Sequence, residues 1–120
     1  MGPWLIDIRE PSELEPWLEG GPPGRSDSTV MLVRGDGPLV REFLPNALDA
    51  AKESAGRVVV WVKDPAQLAG GPVGEAFAKS DDILAVVLAT DGSVGGWVVD
   101  DRIGVKDAAF AFQNAEMIHA

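Results

Sequence analysis

The stretch Thr29–Lys63, TVMLVRGDGPLVREFLPNALDAAKESAGRVVVWVK, decides how the chain is read. It opens on an apolar run, breaks at Gly35-Asp36-Gly37-Pro38, continues as a helical pattern from Leu39 to Ser54, and closes on a second apolar run, Val58 to Val62. Both runs are continuously apolar rather than alternating, as parallel strands covered on both faces are. The segment between them is long enough for the right-handed helical crossover that such strands need. The stretch therefore reads as a βαβ unit. Inside its helix, Val40, Phe43, Leu44, Ala47, Leu48, Ala51 and Ala55 lie along one stripe. Pro38 takes a first-turn position, where its missing N–H leaves no hydrogen bond unmade. Pro45 predicts a kink, and Gly56 predicts a C-terminal cap.

Working outward, Trp4 to Ile8 is a short candidate strand with Trp4, Ile6 and Ile8 on one side. A weak helix follows from Glu10 to Gly20: Leu14, Trp17 and Leu18 share a face, Ser12 and Glu15 have capping-box spacing, and Pro16 counts against a long helix. Gly20 to Ser28 reads as a loop. On the other side, Asp64 to Gly74 reads as a Pro- and Gly-rich loop, and Pro72 to Lys79 as a short helix burying Val73, Ala76 and Phe77. Ile83 to Ala89 is a third continuously apolar strand. Thr90-Asp91-Gly92-Ser93 is a hairpin turn, since Asp-Gly supplies the positive φ angles of a type I′ turn. In the return strand, Val94 to Val99, Gly95 and Gly96 predict a bulge or the close approach of another backbone. A last helix, about Val105 to Ile118, would pack Ala108, Ala109, Phe112 and Ala115 on the sheet. The order is β α β α β α β β α: a parallel core followed by an antiparallel hairpin and a closing helix.

Composition narrows the chemistry. The chain has 120 residues, enough for one core and too few for two. It has no cysteine, which excludes thiol nucleophiles, disulfide exchange, iron–sulfur ligation and cysteine zinc sites. The single histidine, His119, excludes a histidine metal cluster. With 19 acidic and 10 basic residues the net charge is −9, which repels nucleic acid and anionic membranes and suits a basic or neutral protein partner. The N-terminus lacks the basic and apolar regions of a signal peptide, and no apolar stretch is long enough to span a membrane, so a cytoplasmic protein is expected.

The element order and several local details resemble the thioredoxin fold. Where that family carries Cys-Gly-Pro-Cys at the start of its second helix, this chain reads Asp36-Gly37-Pro38-Leu39. Pro45 lies within one residue of the family's helix-kinking proline, Asp91-Gly92 matches its hairpin turn, and Gly104 matches a glycine before the last helix. Both cysteine positions are lost, however, and the place of the family's cis-proline reads Ser80-Asp81-Asp82-Ile83. The resemblance implies an α/β, thioredoxin-like domain with a central mixed sheet flanked by helices, redox-inactive and without a cofactor. Cysteine-free members of that superfamily include accessory proteins that help assemble nickel–iron hydrogenases, so an assembly chaperone is the function the resemblance implies. The opening LIDIREP, Leu5 to Pro11, also resembles rhodanese domains, but their cysteine loop is missing and the hairpin and final helix are then unexplained.

Asp36, Asp64, Asp81 and Asp82 come from loops that a thioredoxin-like sheet gathers at one pole. They could serve a basic peptide or a divalent cation, although turns favour Asp and a solvated rim is the ordinary reading. Asp36 is a better helix cap than acid or base. Gly35-Asp36-Gly37-Pro38 matches neither common phosphate-binding glycine pattern. Among the tryptophans, Trp61 reads as structural, and Trp97, near a sheet edge, as a partner contact. The expectation is a non-catalytic interaction module meeting a protein partner through Asp36, Gly37, Pro38, Asp81, Asp82 and Trp97, with an edge strand offering a route to a homodimer. The alternative is a small-ligand or metal-binding domain at the aspartate pole.

Overall fold

The computed structural model describes residues 5–18, 29–89, 93–99 and 108–117. Along the chain lie β1 (Leu5–Ile8), α1 (Pro11–Leu18), β2 (Thr29–Arg34), α2 (Pro38–Lys52), β3 (Arg57–Val62), a 3-10 turn (Pro65–Leu68), α3 (Gly71–Phe77), β4 (Ile83–Leu88), β5 (Val94–Val99) and α4 (Ala108–Met117). The strands form one mixed sheet in the order β1-β3-β2-β4-β5. β1, β3 and β2 are parallel, and β4 runs antiparallel to both β2 and β5. The fold is α/β, a five-stranded mixed sheet flanked by helices.

The unbroken apolar runs have a simple cause. Successive side chains of a strand point to opposite faces, and both faces of this sheet are covered. Met31, Val33, Val59, Val87 and Val98 face α2 and α4, where they meet Phe43, Ala47, Phe112 and Ala115. Val30, Leu32, Val60, Val62, Val86 and Leu88 face the opposite layer, with Ile8, Leu14, Leu68, Val73 and Phe77. Every residue of β4 is buried. Each large side chain removed from water in this way contributes roughly 1.5–3 kcal/mol against the entropy of ordering the chain.

The α2 stripe is nearly as expected, with three corrections. Leu48 is only partly buried; Ala55 is exposed, because α2 stops at Lys52; and Ala50, off the expected stripe, is buried. The helix runs through Pro45. The C-cap is Glu53 rather than the expected Gly56, which instead adopts φ +81 in the turn to β3, a conformation that favours glycine. Asp64–Gly74 is less irregular than its composition suggests, since it holds the 3-10 turn and the start of α3. At the entry to α1, the Glu13 carboxylate accepts from the amides of Arg9 and Glu10, at 3.1 and 3.0 Å. The expected capping pair involved Glu15, whose side chain lies outside the described residues. Also outside them are Trp4, the loop Gly20 to Ser28, the turn residues Thr90 to Gly92, Gly104 and His119.

Both expectations for the paired glycines of β5 are met. The pairing slips between Val87 opposite Gly96 and Leu88 opposite Val94, leaving Gly95 as the extra residue of a bulge. Gly96 faces α4, and a Cβ there would lie 3.3 Å from the Ala111 carbonyl oxygen. The helix rests directly on glycine backbone.

Arg57 is the one charged residue among the buried residues described. Its Nε and Nη2 donate to the two Glu116 carboxylate oxygens, each at 2.8 Å, and its Nη1 donates to the Ala50 carbonyl at 2.8 Å. One guanidinium thereby ties the start of β3 to the ends of α2 and α4. The hydrogen bonds to Glu116 hold its pKa above the ordinary arginine value, against the opposing effect of burial.

Candidate functional site

β1, β2 and β3 end at one pole of the sheet, where β4 begins. β2 leaves the core at Arg34, and Gly35, with φ +90, turns the chain toward α2. Two bonds from β3 hold this turn: the Gly35 amide donates to the Val62 carbonyl, and the Trp61 indole Nε1 donates to the Gly35 carbonyl, both at 2.8 Å. Trp61 is therefore more than a core residue. It is partly buried, and its ring has the Lys63 ammonium at 4.9 Å and the Arg41 guanidinium at 5.8 Å from its centroid. Those cations pair with Asp7 and Asp36, each at 2.9 Å.

Gly37 is the N-cap of α2 and Pro38 its first residue, so the expectation that Asp36 caps the helix is corrected. The Asp36 carboxylate turns instead to Arg41, forming an exposed ion pair. Such pairs contribute about 0–1 kcal/mol.

Between the start of α2 and the start of β4 lies an open cleft of about 480 Å³. Gly37, Pro38, Leu39 and Val40 line it from α2 and its cap, Asp81, Ile83 and Leu84 from the start of β4, and Pro65, Arg34 and Gly35 complete the lining. Leu39 is 41% exposed there. A smaller cleft of about 190 Å³ continues beyond Arg34, past Leu68, Gly74 and Phe77.

Arg34 organises this pole, and sequence reasoning missed it. Its Nη1 donates to the Phe77 carbonyl at 3.2 Å, while its Nη2 lies within 3.1 Å of the Ser80 and Asp81 carbonyls and 2.7 Å from that of Ile83. The guanidinium also sits over the Phe77 ring, 4.6 Å from its centroid. The whole connection from α3 to β4 is thus fastened to the end of β2 by one side chain. The only signal in the sequence is a charge closing an otherwise apolar strand, which marks where the strand meets solvent but names no partner.

The expected site residues divide into two places. Gly37, Pro38 and Asp81 line the cleft, with Asp36 beside it. Asp82 is exposed next to Asp81, its amide bonded to the Ser80 hydroxyl at 3.0 Å. Asp64 is used structurally, its side chain accepting from the Ala66 amide to cap the 3-10 turn. Trp97 is elsewhere: it sits on the outer strand β5 opposite Val86, 48% exposed, with the Lys79 ammonium 5.1 Å from its ring centroid. Among the described residues no three acidic or histidine side chains stand close enough to hold a metal ion together. No helix among the described residues is long and apolar enough to cross a membrane.

No protein-family model matches the chain, and neither a curated protein nor a solved structure matches it.

Proposed function

We propose that this is a non-catalytic interaction module of thioredoxin-like architecture, which holds a protein partner at the pole where α2 begins. The observation that carries the reading is the apolar cleft beside Gly37, Pro38 and Leu39, in a chain that has no cysteine with which to perform thiol chemistry there. The strand order β1-β3-β2-β4-β5, with three parallel strands followed by an antiparallel pair, supports a thioredoxin-like reading. The antiparallel pair and α4 also weigh against the rhodanese-like alternative, which leaves them unexplained. A holding role in the assembly of a metalloenzyme such as a hydrogenase is the concrete form of the proposal, by resemblance to the cysteine-free accessory proteins of that superfamily. The dispersal of Asp36 and Asp64 into internal contacts favours this over a cation site at the pole.

A photo-crosslinking amino acid placed at position 39 in the intact protein tests the proposal, with position 113 on the outer face of α4 as control. The expected result is one polypeptide attached from position 39 and absent from the control. Attachment of the same polypeptide from both positions, or turnover of a substrate by the purified protein, would refute it.

A further inference from the structure

We infer that the cleft selects a segment that combines one large apolar side chain with a flanking lysine or arginine, and that Asp81 and Asp82, not Asp36, provide the charge selectivity. The inference rests on the reading of this pole as a docking surface and adds the chemistry of what docks.

The apolar part follows from the walls. Pro38, Leu39, Pro65, Ile83 and Leu84 present carbon to the cleft, and Pro38 and Pro65 have no N–H to offer a partner's backbone. These walls favour filling the cleft with a side chain over adding a strand.

The charged part follows from which groups are already engaged. The Asp36 carboxylate is paired with Arg41, and that of Asp64 accepts from the Ala66 amide. The Arg34 guanidinium has its N–H groups taken up by four carbonyl oxygens of the α3–β4 connection, so its one positive charge lies at the cleft but offers no free donor to a partner. What remains is Asp81, which lines the cleft, and Asp82 next to it in the chain, both exposed and neither in an ion pair among the described residues, two negative charges against the one of Arg34. With a net charge of −9 on the chain, the field at this rim attracts a cation. It also opposes an anion at the start of α2, where helix geometry alone would welcome one.

The test uses three capped synthetic peptides, Ac-GSKLKSG-NH2, Ac-GSELESG-NH2 and Ac-GSKGKSG-NH2, titrated into the ¹⁵N-labelled intact protein at low salt and followed by amide chemical shifts. The lysine–leucine peptide is expected to move the amides of Gly37, Leu39 and Leu84 and to bind roughly tenfold more tightly than the glutamate peptide, a difference of about 1.4 kcal/mol. The glycine peptide is expected to bind weakly or not at all. The double variant Asp81→Asn with Asp82→Asn should reduce the tenfold preference to about twofold or less, as should 1 M NaCl, which shortens the screening length to about 3 Å; Asp36→Asn combined with Arg41→Gln, which removes both charges of that pair, should leave it unchanged. Equal binding of the lysine–leucine and glutamate peptides in the cleft would overturn the charge selectivity while leaving docking intact. Shifts confined to another surface, or none with any peptide at millimolar concentration, would overturn the inference, and the crosslink from position 39 would then decide docking separately.

Discussion

Arg57 and Glu116 meet through two parallel hydrogen bonds of 2.8 Å, joining the first residue of β3 to the last turn of α4 across 59 positions of sequence. The Arg57 side chain is 5% exposed and that of Glu116 32%, so the pair lies at the boundary of the core. Removing the carboxylate charge leaves a buried cation with the Ala50 carbonyl, the Phe112 ring 5.2 Å away and the weaker influence of Glu53.

Glu116→Gln should therefore destabilise the protein by about 2 kcal/mol, within the range for hydrogen bonds to charged groups. In a domain of this size the melting temperature should fall by roughly 5–10 °C. The pH dependence has a definite sign. A pKa raised by folding stabilises the protein at all pH values below the unfolded-state pKa, and that contribution is lost only as pH rises through the folded value. For arginine both values lie far above neutral pH. The gap between wild type and variant should therefore stay constant from pH 7 to 10 in thermal melts. A gap that closes by pH 10 would mean that a different group holds the pair.

Arg34→Lys should loosen the cleft where Asp81, Ile83 and Leu84 line it. An ammonium lacks the planar fork that spans the carbonyls of Phe77, Ser80, Asp81 and Ile83. The expected loss is about 2 kcal/mol, with faster hydrogen exchange at the amides of Lys79 and Ile83, whose own bonds are long at 3.3 and 3.4 Å. Unchanged exchange at both amides would show that the connection holds itself without the clamp.

Gly96→Val should be among the more damaging substitutions in the sheet. Its Cβ would press on the backbone of α4 at Ala111, at 3.3 Å from the oxygen and 3.8 Å from Cα, and neither atom can rotate away. Overpacking of this kind costs about 1–3 kcal/mol, readable as a lower midpoint in urea. A midpoint equal to wild type would mean that α4 can lift from β5 at little cost.

Gly37→Ser should have the opposite effect. Gly37 has φ −80 and ψ 171, extended backbone that a serine adopts, and a Cβ there meets nothing within 4 Å. The helix has no side-chain cap. A serine hydroxyl can accept from a first-turn amide while reducing the freedom of the unfolded chain, a gain of roughly 0.5–1 kcal/mol. A lower melting temperature would contradict the cap assignment.

Much of the fold was legible because its signals are local. The runs at Val30–Val33, Val59–Val62 and Ile83–Leu88 mark strands covered on both faces, and the spacing of Val40, Phe43, Leu44 and Ala47 marks the helix between the first two. The glycine pair in β5 announced both the bulge and the contact with α4. The 3-10 turn at Pro65–Leu68 escaped notice because one short turn leaves no periodic pattern. The site was legible only in outline: Gly37, Pro38 and Asp81 do meet at a cleft, but Trp97 lies on another surface.

Sequence alone settled the covered sheet, the element order and the absence of a thiol, because burial period, turn residues and composition are properties of neighbouring residues or of the chain as a whole. Tertiary structure alone decided which charges remain available at the pole. Asp36 is spent on Arg41 and Arg34 on four carbonyls, while Asp81 and Asp82 stay exposed. The hydrogen bonds of a charged group go to whatever folding brings within about 3 Å of it, and for Arg34 those partners lie more than 40 residues away along the chain.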